Sequence, residues 1–76
     1  MGFVVRRMIS TDSLSHLETI SIAPIFDKPT DALNWLSGFV AGSIMAVNWD
    51  KDYPGCADIM VATKKGMVQY AVEGRY

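Results

Sequence analysis

Three aspartates close together in the second half of the chain are the residues best suited to bind a metal ion. Asp50, Asp52 and Asp58 offer carboxylate oxygens, which are the ligands that calcium prefers. The full order of an EF-hand loop, which ends on a glutamate, is missing. We therefore interpret this segment as a solvated loop and expect neither a metal nor a cofactor.

The chain has one histidine, His16, and one cysteine, Cys56, so neither residue can act with a second of its own type. A nucleophile needs a base and an orienting group beside it, and no spacing in the sequence indicates such a set. We therefore predict no catalytic residues and a protein that is not an enzyme. An enzyme that uses His16 or Cys56 is kept as a third hypothesis.

The overall charge of the chain is close to neutral. Its 76 residues contain seven Lys and Arg against eight Asp and Glu, a formal net charge of −1. Direct binding to nucleic acid requires a basic excess, so we expect no nucleic-acid partner. The apolar stretch 3–5 is too short for the core of a signal peptide, and a single unpaired thiol is typical of a reducing compartment. The sequence therefore favours a single cytoplasmic domain over residues 1–76.

The first third of the chain has the pattern of two strands. Residues 3–9 are rich in β-forming types and are followed by a turn cluster at 10–13. Residues 16–23 include alternating apolar and polar side chains, which predicts a half-buried second strand. A short helical turn over 12–18 is the alternative, because a serine and a glutamate there have capping-box spacing.

The middle of the chain is predicted to form one long helix. Pro29, Thr30 and Asp31 are residue types that favour a helix start, with Thr30 as a candidate cap. The next strong stop signal is the Pro-Gly pair at 54–55. We therefore expect a helix that begins near Asp31 and ends at residue 48 or 49.

The last third of the chain has the pattern of a β-hairpin. Residues 58–64 and 67–73 alternate around a Lys-Gly turn at 65–66, which pairs Val61 with Tyr70. One face of the hairpin is then apolar, with Ile59, Val61, Val68, Tyr70 and Val72. The order is ββαββ, so we predict an α+β fold with one helix packed on a four-stranded, mainly antiparallel sheet.

The predicted helix lies within a run of 18 residues, 32–49, that contains no charged residue and no histidine. As a helix it would place one apolar stripe on the sheet: Leu33, Leu36, Val40, Ile44 and Val47. Gly38 and Gly42 would each cost about 1 kcal/mol of helix propensity, which indicates close approach of another backbone. Tryptophan is enriched among interface hot spots. We predict a partner-binding surface that contains Trp35, Gly38, Gly42, Met45, Trp49, Asp50, Asp52 and Tyr53.

Three interpretations of this uncharged run remain open. The first strand or the loops 24–29 and 50–56 could fold over the helix and complete the core of a monomer. Alternatively, the run is an interface with a second copy or with a foreign protein. A membrane span is disfavoured because Asn and Ser interrupt the run and acidic residues flank it, so we expect no membrane partner.

The layout of residues 45–72 provides one resemblance to a known group. A helix ending in Met-Ala-Val-Asn-Trp at 45–49 is followed by a short Pro/Gly turn and a hairpin over 58–72. This layout resembles small phage-encoded anti-CRISPR inhibitors, some of which share it. The resemblance implies an inhibitor that docks on a CRISPR effector complex or its nuclease. Several such inhibitors are strongly acidic, so the near-neutral charge here favours steric docking over mimicry of nucleic acid, and no functional residue can be carried over.

These observations lead to two hypotheses about function. The first is a non-enzymatic protein-binding module, a small anti-CRISPR-like inhibitor that docks on a bacterial protein or ribonucleoprotein complex. The alternative is a structural homodimer that associates through the uncharged helix face and uses the outer face of the sheet for its function.

Overall fold

Five strands and one helix follow each other in the order ββαβββ in the computed structural model, which describes residues 2–10 and 14–75. The strands form one antiparallel sheet in the order β2-β1-β5-β4-β3. The predicted α+β class is therefore confirmed, with five strands instead of four. The bounds are β1 Gly2–Ser10, β2 Ser15–Thr19, α1 Pro29–Phe39, β3 Gly42–Trp49, β4 Ala57–Thr63 and β5 Gly66–Arg75.

The first strand forms as predicted, whereas the second is shorter than the predicted 16–23. The chain turns after β2, where the amide of Ala23 donates to the carbonyl of Ile20 at 3.1 Å. It returns to β1 at Phe26, whose backbone exchanges two hydrogen bonds with Phe3. Because Ser15–Thr19 is a strand, the helical turn considered for 12–18 does not form there. Residues 11–13, which hold most of the predicted turn cluster at 10–13, lie outside the described residues.

The helix begins where the sequence predicts and ends much earlier. Pro29 occupies the first turn, where a missing N–H costs no hydrogen bond, and no side chain caps the helix start, so Thr30 is not a cap. Ala32 and Leu36 are fully buried and fix the helix on the sheet. The helix ends at Phe39, and Val40 is already in an extended conformation.

The prediction of a helix over residues 40–49 is wrong, because residues 42–49 form strand β3 beside β4. Gly42 explains part of the difference. A Cβ at this position would collide with the carbonyl oxygen of Ala62, so the glycine permits close approach of β3 to β4. Gly38, by contrast, has open space around it. The two glycines therefore do not form a groove on one helix face, and pairing in the sheet overrides the weak helix propensity of this segment.

The hairpin of β4 and β5 has the predicted faces but a different register. Val61 lies opposite Val68 and Ile59 opposite Tyr70, a shift of two residues from the prediction. The turn is therefore at Lys64 and Lys65 instead of 65–66. Gly66 has φ 122°, and the Thr63 hydroxyl donates to the Gly66 carbonyl at 2.8 Å, which closes the turn one residue earlier. A shift of two leaves each side chain on its predicted face.

The core lies between the helix and one face of the sheet. Its largest fully buried side chains come from four elements: Val5, Leu36, Ile59, Val61 and Val72. The other face of the sheet is covered by no helix within the described residues. Arg6 lies across this outer face, where its guanidinium donates to Glu73 at 2.9 Å and to the Leu17 carbonyl at 2.7 Å. These bonds join β2, β1 and β5 on the outer side.

Candidate protein-binding site

The loop between β3 and β4 is held in one conformation by its own backbone and one carboxylate. The Oδ1 atom of Asp50 accepts from the amide of Asp52 at 2.8 Å and from the amide of Tyr53 at 3.2 Å. The amide of Asp50 donates to the Cys56 carbonyl at 2.8 Å, which closes the loop at its base. Short polar side chains such as aspartate commonly form turns in this way. Asp50 therefore shapes the loop that presents its neighbours.

A glycine in the same loop anchors it to the first strand. Gly55 has φ 85°, a backbone conformation that residues with a side chain rarely adopt. A Cβ at this position would overlap the ring of Phe3. The Cys56 thiol accepts a hydrogen bond from the amide of Gly74 at 3.5 Å. These contacts attach the loop to β1 and β5, so the loop has a fixed position relative to the sheet.

An open cleft of about 430 Å³ lies where this loop meets the ends of β3, β4 and β5. We call it the end cleft. Its lining comprises Asn48, Trp49, Asp50, Tyr53, Cys56, Ala57, Asp58, Ala71, Val72, Glu73 and Gly74. Trp49 is 44% exposed and Tyr53 is 65% exposed, so both rings have surface available to a partner.

Among the side chains that the structure describes, the charged groups of the end cleft are acidic. Asp50, Asp58 and Glu73 line it, and the lining includes no lysine or arginine. Glu73 is partly neutralised by its ion pair with Arg6, whereas Asp58 is exposed. An acidic surface beside aromatic rings suits a cationic side chain, because the ring face and the carboxylate both attract it.

The structure brings together only part of the predicted binding surface. Trp49, Asp50 and Tyr53 line the end cleft, and Asp52 lies in the same loop. Trp35 lies elsewhere, on α1. Its ring stacks on Phe39 with centroids 4.7 Å apart and contacts Phe26 at 6.2 Å.

The other predicted positions are dispersed because residues 42–49 are not helical. Gly38 is near the end of α1, Gly42 begins β3, and Met45 occupies an irregular position in β3 between Ile44 and Ala46. Met45 is 63% exposed. The homodimer interface predicted along one helix face therefore does not exist in that form, because no single helix carries these residues.

Sequence reasoning missed Asp58 and Glu73 as lining residues of the cleft. Asp58 was considered only as a metal ligand, and Glu73 lies far from the loop in sequence. The alternation within β4 and β5 does place both on the outer face, because Asp58 lies opposite Ala71 and Glu73 is two residues further on. The signal was therefore present, but the cleft depends on how the loop folds across the strand ends.

The residues with catalytic chemistry are placed on separate elements. His16 is on β2, where its Nε2 atom lies 3.3 Å from Glu18, and Cys56 is half-buried at the base of the loop. In the part of the chain that the structure describes, no group of three His, Cys, Asp or Glu residues is arranged to hold a metal ion. Among the same residues, no helix is long and apolar enough to cross a membrane.

Comparison with known proteins adds no relative. No protein-family model, no curated protein and no solved structure matches the chain.

Proposed function

We propose that this protein is a non-enzymatic binding module that docks on another protein through the end cleft. The observation that carries the proposal is the pair of exposed aromatic rings, Trp49 and Tyr53, on a loop with internal hydrogen bonds. A preorganised loop loses little conformational entropy on binding, which leaves more of the contact energy for affinity. Exposed aromatic rings beside a cleft are typical anchors of protein interfaces.

The charge of the cleft indicates the kind of partner surface. Asp58 and Glu73, which is paired with Arg6, line the same cleft as Trp49 and Tyr53, so an arginine or lysine of the partner would meet carboxylates and aromatic residues in one cleft. Proteins that hold nucleic acid present such cationic side chains in their binding channels. We propose a small inhibitor of the anti-CRISPR kind, which docks on a CRISPR effector complex or its nuclease in the bacterial cytoplasm and blocks it sterically.

Titration of purified CRISPR effector complexes with this protein tests the proposal. We expect cleavage of target nucleic acid by one of them to fall as the protein is added, with full inhibition near one copy per complex. We expect Tyr53→Ala to weaken that inhibition by about 2 kcal/mol in binding free energy, roughly thirtyfold in Kd. Isothermal titration calorimetry with the inhibited complex gives this number.

Ile22→Ala is the matched control. Ile22 is 72% exposed but lies in the turn after β2, outside the end cleft, so its truncation should leave inhibition unchanged. Equal losses for Ile22→Ala and Tyr53→Ala would contradict a role for the cleft. Unimpaired cleavage by every effector complex tested would contradict the anti-CRISPR proposal itself.

A further inference from the structure

Strand β3 forms one edge of the sheet, and no described residue pairs with the edge of β3 that points away from β4. The sheet order places β4 on one side of β3 and nothing on the other within residues 2–10 and 14–75. An edge strand presents a row of backbone N–H and C=O groups that can pair with another strand. The eight residues of β3 therefore provide a template for strand addition.

The edge at β3 has neither the charges nor the proline that commonly protect a sheet edge, and its one protective feature is a β-bulge at Met45. Sheet edges are commonly blocked by charged side chains, proline or very short strands. Residues 42–49 contain no charged residue and no proline. Met45 and Trp49 are 63% and 44% exposed, so the edge also presents apolar side chains.

A β-bulge gives this strand a symmetrical pattern of faces. Ile44 lies opposite Val61 and Val47 opposite Ile59, although three residues separate Ile44 from Val47, because Met45 has no partner on β4. Positions 42, 44, 47 and 49 therefore lie on the face of the sheet that packs against the helix, and positions 43, 46 and 48 lie on the outer face. Read from either end, the strand gives the same order of faces about a point between residues 45 and 46.

We infer that β3 pairs with β3 of a second copy of this chain, antiparallel and about a two-fold axis between Met45 and Ala46. Antiparallel neighbours must carry their facing side chains on the same side of the sheet. About this axis, Ile44 of one copy meets Val47 of the other, and Ser43 meets Asn48. Both pairs lie on matching faces, and the two bulges lie opposite each other on the axis.

The paired residues are also chemically matched. Ile44 and Val47 are half-buried apolar residues that would extend the core across the axis. Ser43 and Asn48 are both exposed and polar, so they would meet on the outer face. Trp49 would lie opposite Gly42, a position without a side chain, so this pair brings no clash.

No like charges meet across the axis. The first charged residue beyond β3 is Asp50, and the same spacing places it opposite Ala41 of the second copy. A symmetric interface of this kind uses the same surface patch on both copies. The result is one continuous sheet of ten strands, and each end cleft is next to the start of β3 of the other copy.

Two double variants test this pairing: one introduces like charges across the interface, and the other introduces opposite charges. Asn48→Lys is common to both, and within one chain the new lysine lies opposite Asp58. In the dimer, position 43 of each copy lies opposite position 48 of the other copy. Adding Ser43→Lys therefore places two lysines opposite each other in both of these pairs, whereas adding Ser43→Glu places a glutamate opposite a lysine. We expect the dimer of Ser43→Lys/Asn48→Lys to be the weaker one, with a Kd at least about tenfold higher than that of Ser43→Glu/Asn48→Lys, so that it dissociates at a correspondingly higher concentration.

Sedimentation velocity from roughly 1 μM to 1 mM measures the association. The unchanged chain should sediment as 8.4 kDa when dilute and as twice that mass when concentrated. A single-chain mass throughout would overturn the proposal and leave the edge to a foreign strand. A dimer that is equally strong in both double variants would mean that another surface associates, and loss of the dimer in both would mean that the register is wrong.

Amide hydrogen exchange on the unchanged chain provides a second test of the pairing, which does not depend on whether a variant folds. The amides of β3 that point away from β4 should exchange fast in dilute solution and slow down at high concentration. Unchanged exchange at these amides in a dimeric sample would also overturn the proposal. The tests of association use the unchanged chain and variants at positions 43 and 48, whereas the test of inhibition uses a variant at position 53. Failure of the pairing can therefore be distinguished from failure of the proposed function.

Discussion

The two edges of the sheet differ in length, charge and continuity. β2 is five residues long and carries His16 and Glu18, whose side chains lie 3.3 Å apart. The chain then leaves the sheet at Ile20 and rejoins it only at Phe26. β3 is eight residues long and uncharged, and it stays beside β4 over its whole length with one bulge at Met45.

This difference shows that the uncharged run has two different physical explanations along its length. Its first part, in α1, is uncharged because Ala32 and Leu36 pack on the sheet and Trp35 packs in an aromatic cluster. Its second part, in β3, is uncharged although most of its side chains are exposed. Burial within one copy explains the first part, and the proposed pairing with a second copy would explain the second.

The largest expected effect is on the core beneath the β3 side of the sheet. Ile59 is fully buried on β4 and lies opposite Val47 of β3, so Ile59→Ala should cost about 2–5 kcal/mol of unfolding free energy. A domain this small has about 3–5 kcal/mol in total, so the variant should be largely unfolded. Urea unfolding followed by circular dichroism measures the loss.

Leu17→Ala is the corresponding truncation on the β2 edge. Leu17 is only half-buried, so its loss should cost about 1 kcal/mol. Equal costs for the two variants would show that the outer face of the sheet at β2 stabilises the fold as much as the core between the sheet and the helix does.

The next effect separates the two glycines of the uncharged run. Gly42→Ala should destabilise the protein by about 1–3 kcal/mol, because the added methyl group collides with the Ala62 carbonyl and forces β3 away from β4. Gly38→Ala should stabilise it by about 0.5–1 kcal/mol, because this helical position is open and alanine favours the helix. Thermal unfolding of both variants gives the two signs. A helix that continued through residue 42 would show stabilisation in both.

The smallest effect is expected at the charged edge. His16 and Glu18 are exposed, with side chains 51% and 60% accessible, so His16→Ala should change the unfolding free energy by about 0.5 kcal/mol or less. The same urea unfolding measurement applies. A change above about 1 kcal/mol would mean that the contact between His16 and Glu18 stabilises the fold instead of only blocking its edge.

Much of this fold could be predicted from local residue patterns. The β-forming run 3–9, the helix start near Pro29 and the apolar face of the hairpin all follow from periods of two or from helix-start chemistry. The hairpin register could not be predicted, because it depends on how Thr63 and Gly66 close the turn.

The end of the helix could not be predicted for a more specific reason. The bulge at Met45 places Ile44 and Val47 on the same face of β3 although they are three residues apart. A spacing of three is also the spacing of neighbours on a helix face, so the bulged strand has the apolar pattern of a helix. The same error affected the candidate site. Residue type alone predicted Trp49, Asp50 and Tyr53, which line the end cleft, whereas the predicted helix wrongly placed Trp35 and Gly38 beside them.

The most direct test of the pairing is a nuclear Overhauser measurement between two copies of the unchanged chain. Equal amounts of ¹³C-labelled and unlabelled protein are mixed at high concentration, and only contacts between a labelled and an unlabelled copy are recorded. We expect a contact between the methyl groups of Ile44 in one copy and Val47 in the other. Intermolecular contacts that involve other surfaces and omit this pair would contradict the pairing.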